Sequence, residues 1–111
     1  MTFTCFSYQL PFANPLKTSN HSYTERQGFI LVCRHEEFEF YGEVAPLPGF
    51  SKESFHEVRK TLLKQKNNIK TIFDDNNPID KLKEFYMEES ISSSLQFGLD
   101  ALAYQIEAQH T

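Results

Sequence analysis

The chain has no tryptophan, two cysteines and four glycines among its 111 residues, and each shortage removes a class of explanation. Cys5 and Cys33 form no C-x-x-C pair, and each lies inside an apolar, strand-like run. The preferred reading is therefore two buried thiols in a reducing cytosol, with a disulfide between them as the alternative. The glycines stand apart from one another, so no G-x-S-x-G elbow, Walker loop or dinucleotide signature is present. No Lys/Arg cluster is dense enough to neutralise a row of phosphates, and the net charge is −4, which argues against nucleic acid as a partner. No run reaches the roughly 18 apolar residues of a membrane span. Met1-Thr2-Phe3-Thr4 also lacks the basic-then-apolar order of a secretory signal. The expectation is a cytoplasmic protein without a membrane partner.

Catalytic and metal-binding patterns are equally sparse. His35-Glu36-Glu37 lacks the second histidine that a zinc helix places four residues after the first. Asp74-Asp75-Asn76-Asn77 lacks the glycine and the distal glutamate of a calcium loop. His21, His56 and His110 have no acidic or thiol companion at ligand spacing. The residues of this chain assemble no active site of their own, and the chain alone is expected to be inactive and to bind no metal.

What the chain does have is aromatic bulk: eleven phenylalanines and five tyrosines within a composition that is 40% hydrophobic and 23% charged. That is enough for one domain with a modest core. In Phe3–Phe12, the side chains of Phe6, Tyr8, Leu10 and Phe12 share one parity and predict a half-buried strand whose other face carries Cys5, Ser7 and Gln9. Residues 13–27, rich in Asn, Ser and Thr and containing Asn14-Pro15, predict a long irregular loop of the length associated with lids. Phe29–Cys33 reads as a strand covered on both faces, and Phe38–Val44 as its alternating hairpin partner.

After Pro48 the period becomes helical. Ser51 suits an N-cap, Phe50 and Phe55 suit a hydrophobic staple, and Phe55, Val58 and Leu62 follow at helical spacing. Asn67-Asn68 reads as a break. A second break at Asp74–Asn77 puts Pro78 at the start of a short helix through Leu82 and Phe85. The last helix begins near Ser92–Ser94 with a stripe of Leu95, Leu99, Leu102 and Ile106. Phe97, Ala101, Ala103, Tyr104 and Ala108 add apolar or small groups around most of the rest. Such a helix is either clamped between sheet and helices or lies against a further neighbour. Gly98 within it suggests a close backbone approach.

The run Gly42-Glu43-Val44-Ala45-Pro46-Leu47-Pro48-Gly49-Phe50-Ser51-Lys52 leaves a strand, passes through two prolines and a glycine and starts a helix. It reads as a stiff, shaped loop that can hold Phe50 at a surface, or as a tight connection and no more. Together with Leu10-Pro11-Phe12, the strand Gly28–Arg34 and the helix start Ser94-Leu95-Gln96-Phe97-Gly98-Leu99-Asp100-Ala101-Leu102, this run resembles the amino-terminal part of the o-succinylbenzoate synthase family of the enolase superfamily. The resemblance covers almost the whole chain.

The resemblance implies an α+β fold like the enolase N-terminal domain, a three-stranded antiparallel meander followed by a helical subdomain over residues 1–111. It also implies that the full-length protein is a lyase of menaquinone biosynthesis that dehydrates 2-succinyl-6-hydroxy-2,4-cyclohexadiene-1-carboxylate to 2-succinylbenzoate. In that family a barrel lysine takes the proton α to the carboxylate, and Mg2+ held by the barrel stabilises the enediolate. A (β/α) barrel needs about 200 residues or more, and the chain ends at Thr111, where the family's barrel would begin. The capping domain would close the barrel mouth with two loops, here around Asn14–Gln27 and Pro46–Ser51. Arg26, Pro48, Gly49, Phe50 and Ser51 are the substrate-loop candidates, with Phe50 as an apolar wall and Arg26 as either a carboxylate partner or a solvated arginine. The expected partners are the protein's own C-terminal barrel, a small carboxylate substrate and, through the exposed last helix, a second copy. Two alternatives stay open: the capping domain of a related enzyme such as a dipeptide epimerase or N-acylamino acid racemase, and a free-standing partner-binding module.

Overall fold

A computed structural model describes residues 1–17, 22–45 and 55–109, with side chains described at 1–9, 27–45 and 55–109. β1 (Thr2–Lys17), β2 (Ser22–His35) and β3 (Phe38–Val44) form an antiparallel sheet in the order β1-β2-β3. α1 (Phe55–Phe73), α2 (Pro78–Glu88) and α3 (Ser93–Gln109) follow. This is the α+β meander-then-helices order expected from the sequence.

Register decides which side of the sheet is dry. Phe3 and Phe40 both oppose Cys33, Leu31 is opposed by Cys5 and Gly42, and Phe29 by Ser7 and Val44. These residues form the helix-facing side, and most of them are buried. The parity expected for β1 is therefore reversed: Phe3 is 6% exposed, whereas Phe6, expected inside, is 51% exposed. Alternation in β1 is aromatic on both parities, so period alone could not choose a face; pairing with the buried Leu31 and Cys33 does. Val32, on the outer side, is also buried, but its neighbours there are not: Phe6 and Tyr41 are about half exposed, so the expected cover on both faces is found on the helix side alone among the described residues.

Residues 13–17 and 22–27 correct the irregular-loop reading, because β1 and β2 stay paired through Leu16↔Tyr23 and Lys17↔Ser22. Between Pro11 and Leu16 the register slips, and β1 carries extra residues there, including Asn14-Pro15. A bulge accommodates a proline, which cannot donate to a ladder. Polar composition misled because hairpin pairing beyond the core needs backbone bonds rather than an apolar face.

The cysteines are free, with Cys33 buried and Cys5 half-buried. They are diagonal neighbours on adjacent strands, about 7–8 Å apart in such a ladder and at or beyond the reach of a disulfide.

α1 runs unbroken through Asn67-Asn68, correcting the expected break; Val58, Leu62, Gln65, Ile69 and Phe73 hold one buried stripe across it. Burial of Ile69 and Phe73 outweighs the few tenths of a kcal/mol by which asparagine disfavours a helix. Phe73 meets Phe3 with ring centroids 5.8 Å apart. Pro78 opens α2 as expected. Asn77 makes no side-chain cap; the Ile79 N–H instead donates to Glu107 Oε1 of α3 at 3.1 Å, so a carboxylate from another helix satisfies an orphan donor.

α3 lies on β3 and β2, with α2 against another side, and its stripe Leu95, Leu99, Leu102 and Ile106 is buried. Gly98 makes the close approach anticipated: a Cβ there would lie 2.6 Å from Val44 Cγ2 and 3.0 Å from the Glu43 carbonyl. Gly42 is the reciprocal position, where a Cβ would lie 2.3 Å from the Gly98 carbonyl oxygen. Two glycines face each other so that helix and strand backbones nearly touch.

Candidate functional site

Two connections leave the sheet at the same end. β3 ends at Val44, which pairs with Phe29, while the β1–β2 hairpin continues seven residues further, to Ser22. At about 3.3 Å per residue the hairpin overhangs the end of β3 by roughly 20 Å. α1 begins at this end too, because Phe55, its first residue, stacks on Phe29 with centroids 4.7 Å apart and planes 9° from parallel. The hairpin overhang, whose base is at Gly28, and the segment that follows Ala45 thus leave from one end of the sheet, which forms a common rim.

The rim is built by close contacts. Tyr8 pairs with Gly28, and its hydroxyl donates to Glu43 Oε2 on β3 at 2.7 Å. Gly28 carries no Cβ because one would lie 2.4 Å from the Val44 carbonyl oxygen and 2.6 Å from the Tyr8 hydroxyl. An aromatic ring laid over a strand glycine and tied to the third strand pins the hairpin's base. Sequence reading noted Gly28 at the head of its expected strand but missed the tie between Tyr8 and Glu43, since the pairing that joins them is long-range.

Pro48, Gly49, Phe50 and Ser51 lie outside the described residues, as do the Ser51 cap and the Phe50–Phe55 staple. Arg26 is opposite Leu10 in the β1–β2 ladder, and its side chain is likewise outside the described set.

The remaining polar contacts are structural. Gln105 of α3 clamps the free edge of β3, its Nε2 donating to the Tyr41 carbonyl at 2.6 Å and its Oε1 accepting from the Tyr41 N–H at 3.2 Å. Tyr86 of α2 donates to Asp100 Oδ1 of α3 at 2.8 Å. Burial, then this bond and the Asp100 charge, push the phenol well above its usual value, so it stays a donor. Phe97 and Tyr104 of α3 are 74% and 62% exposed and lie, with Ala101 and Ala108, on one stripe of the helix beside that clamp. Among the described residues, no three His, Cys, Asp or Glu side chains gather as a metal site. The rim's described residues offer one phenol–carboxylate pair, Tyr8 with Glu43, and one stacked aromatic pair, Phe29 with Phe55.

The family model "MenC, N-terminal domain" matches residues 1–106. The chain belongs to that family. It is 39% identical over 55 residues to o-succinylbenzoate synthase of Vibrio cholerae serotype O1 (strain ATCC 39315 / El Tor Inaba N16961), covering 50% of this chain and 17% of that protein. It is 33% identical over 63 residues to o-succinylbenzoate synthase of Escherichia coli (strain SMS-3-5 / SECEC), covering 57% of this chain and 20% of that protein. Among solved structures, it matches o-succinylbenzoate synthase from Thermosynechococcus elongatus BP-1, complexed with Mg in the active site, with a TM-score of 0.53 and 30% identity. That match covers 59% of this chain and 20% of the other. The chain spans about a fifth of the length of these relatives.

Proposed function

We propose that residues 1–111 are the capping domain of an o-succinylbenzoate synthase whose catalytic domain is a (β/α) barrel. In this reading the complete protein is a cytoplasmic lyase of menaquinone biosynthesis. It dehydrates 2-succinyl-6-hydroxy-2,4-cyclohexadiene-1-carboxylate to 2-succinylbenzoate. The observation that carries the reading is the common rim: the hairpin overhang and the β3–α1 connection leave from one end of a domain whose family model covers nearly the whole chain.

The work of this chain is then to close the barrel mouth. The hairpin beyond Gly28 and the Pro46–Ser51 connection exclude water from the reacting carbon and contact the succinyl side. Phe50 serves as an apolar wall, Pro48, Gly49 and Ser51 shape the turn, and Arg26 pairs with a carboxylate. Mg2+ bound in the barrel would supply stabilisation of negative charge developing on the substrate carboxylate. Among the described residues no three His, Cys, Asp or Glu side chains gather; the ion and the catalytic lysine are assigned to the barrel. The stripe Phe97, Ala101, Tyr104 and Ala108 is proposed to lie against that barrel and, in its absence, against a second copy.

A turnover assay for the dehydration, with magnesium, compares this chain alone with the chain mixed with a separately produced barrel. Activity in the mixture alone is the expected result; activity of the isolated chain would overturn the assignment of the chemistry to the barrel. In the complete enzyme, Phe50→Ala raises KM or lowers kcat, and unchanged kinetics would sink the loop assignment.

A further inference from the structure

α1 is charged unlike the rest of the chain. Arg59, Lys60, Lys64, Lys66 and Lys70 stand against Glu57 alone, whereas the remaining residues carry six basic and fourteen acidic side chains. Beside it, where its first three turns cross β1, lies an open cleft of about 300 Å³. This is the low end of the range for small-molecule sites, which run from about 300 to 1,000 Å³.

The cleft has an apolar wall and two cations. Phe29 and Phe55, stacked on each other, form the wall with Leu62, and Arg59 and Lys66 also line the space. Arg59 and Lys66 are seven residues apart, two helical turns or about 10 Å along the axis, with Leu62 between them on the same side. Among the described residues, no acidic side chain lines the cleft and neither cation has an ion pair. Cys5, which also lines it, is held as a neutral thiol, burial pushing it up to about 11 against a smaller opposing pull from Lys66. Lys60 and Lys64 point a quarter-turn or more away, and Lys70 is committed to Asp74 at 3.2 Å.

We infer that this cleft binds a small amphipathic carboxylate, its aryl or alkyl body on the Phe29–Phe55–Leu62 wall and its carboxylate shared by Arg59 and Lys66. The wall supplies burial; Arg59 supplies a bidentate fork and Lys66 a second point charge, so an anion is selected over a neutral analogue of the same shape. The site uses residues of this chain alone and is independent of the capping-domain reading.

The test is a titration of the 15N-labelled chain with 4-phenylbutyrate and, separately, with 4-phenylbutanol, followed by amide chemical shifts. The expected result is saturable shifts confined to Thr4–Ser7, Phe29 and Phe55–Lys66 with the acid, and at least tenfold weaker binding of the alcohol. Arg59→Gln with Lys66→Gln removes both exposed charges at little cost to the fold and weakens the acid at least tenfold, while Lys60→Gln with Lys64→Gln leaves binding unchanged. Equal binding of acid and alcohol, equal loss in both double variants, or no saturation by the acid would overturn the inference.

Discussion

Gly42 and Gly98 are where single atoms matter most. A methyl group on Gly42 meets the Gly98 carbonyl, which is backbone and cannot rotate away; one on Gly98 meets a buried Val44 methyl and, less closely at 3.0 Å, the Glu43 carbonyl. Gly42→Ala is therefore expected to cost about 3 kcal/mol, the upper part of the range for overpacking. Gly98→Ala recovers about 1 kcal/mol of helix propensity against its clash and costs less. Urea unfolding of the two variants checks the order. Cys33 carries a second prediction. Burial, then the nearby Cys5 and Asp74 charges, push its thiol from an ordinary 9.0 up to about 12. A folded value above the unfolded one means a contribution fully present below about pH 9 and lost as pH rises from there towards 12. Stability should fall across that window, with Cys5 and Tyr86 adding to the slope, and Cys33→Ala should flatten part of it in pH-resolved denaturation.

Among the elements, the edge of β3 shows how a helix replaces a strand. The Gln105 amide makes the two bonds that a fourth strand would make to Tyr41, blocking edge-to-edge pairing at that residue. Gln105→Ala is expected to cost about 1 kcal/mol, as for a typical hydrogen-bonded pair. It should also speed hydrogen exchange at the Tyr41 amide while leaving Leu31 and Cys33 amides protected. The boundaries of β1 and β2 teach the opposite lesson to the helices. α2 and α3 were legible because Pro78 and the Leu95–Ile106 stripe act locally. The hairpin beyond Gly28 was not, because its pairing is carried by the backbone and shows no side-chain period.

For the molecule as a whole, the exposed Phe97 and Tyr104 on α3 are a patch beside a satisfied edge. The isolated chain should self-associate in sedimentation equilibrium, and Phe97→Ser with Tyr104→Ser should shift it towards monomer with little change in melting temperature. A monomeric parent chain would remove the reason to regard that stripe as a covered face. Residues 13–27 were legible as a polar stretch but not as a paired hairpin, and Pro46–Ser51 lies outside the described residues; the base of the overhang and the end of β3 meet at one rim. The tie between Tyr8 and Glu43, 35 positions apart, was not legible, because nothing local couples them.

Element types, their order and the buried stripes of the helices follow from residue spacing alone, since a side chain's period on a helix is a local property. The inward face of β1, the bulge that absorbs Asn14-Pro15, the glycine-to-glycine contact of α3 with β3, the cap that Glu107 gives α2 and the convergence of two connections on one rim all needed register and packing. Each depends on which distant backbone arrives opposite, and a chain read one neighbour at a time does not carry that information.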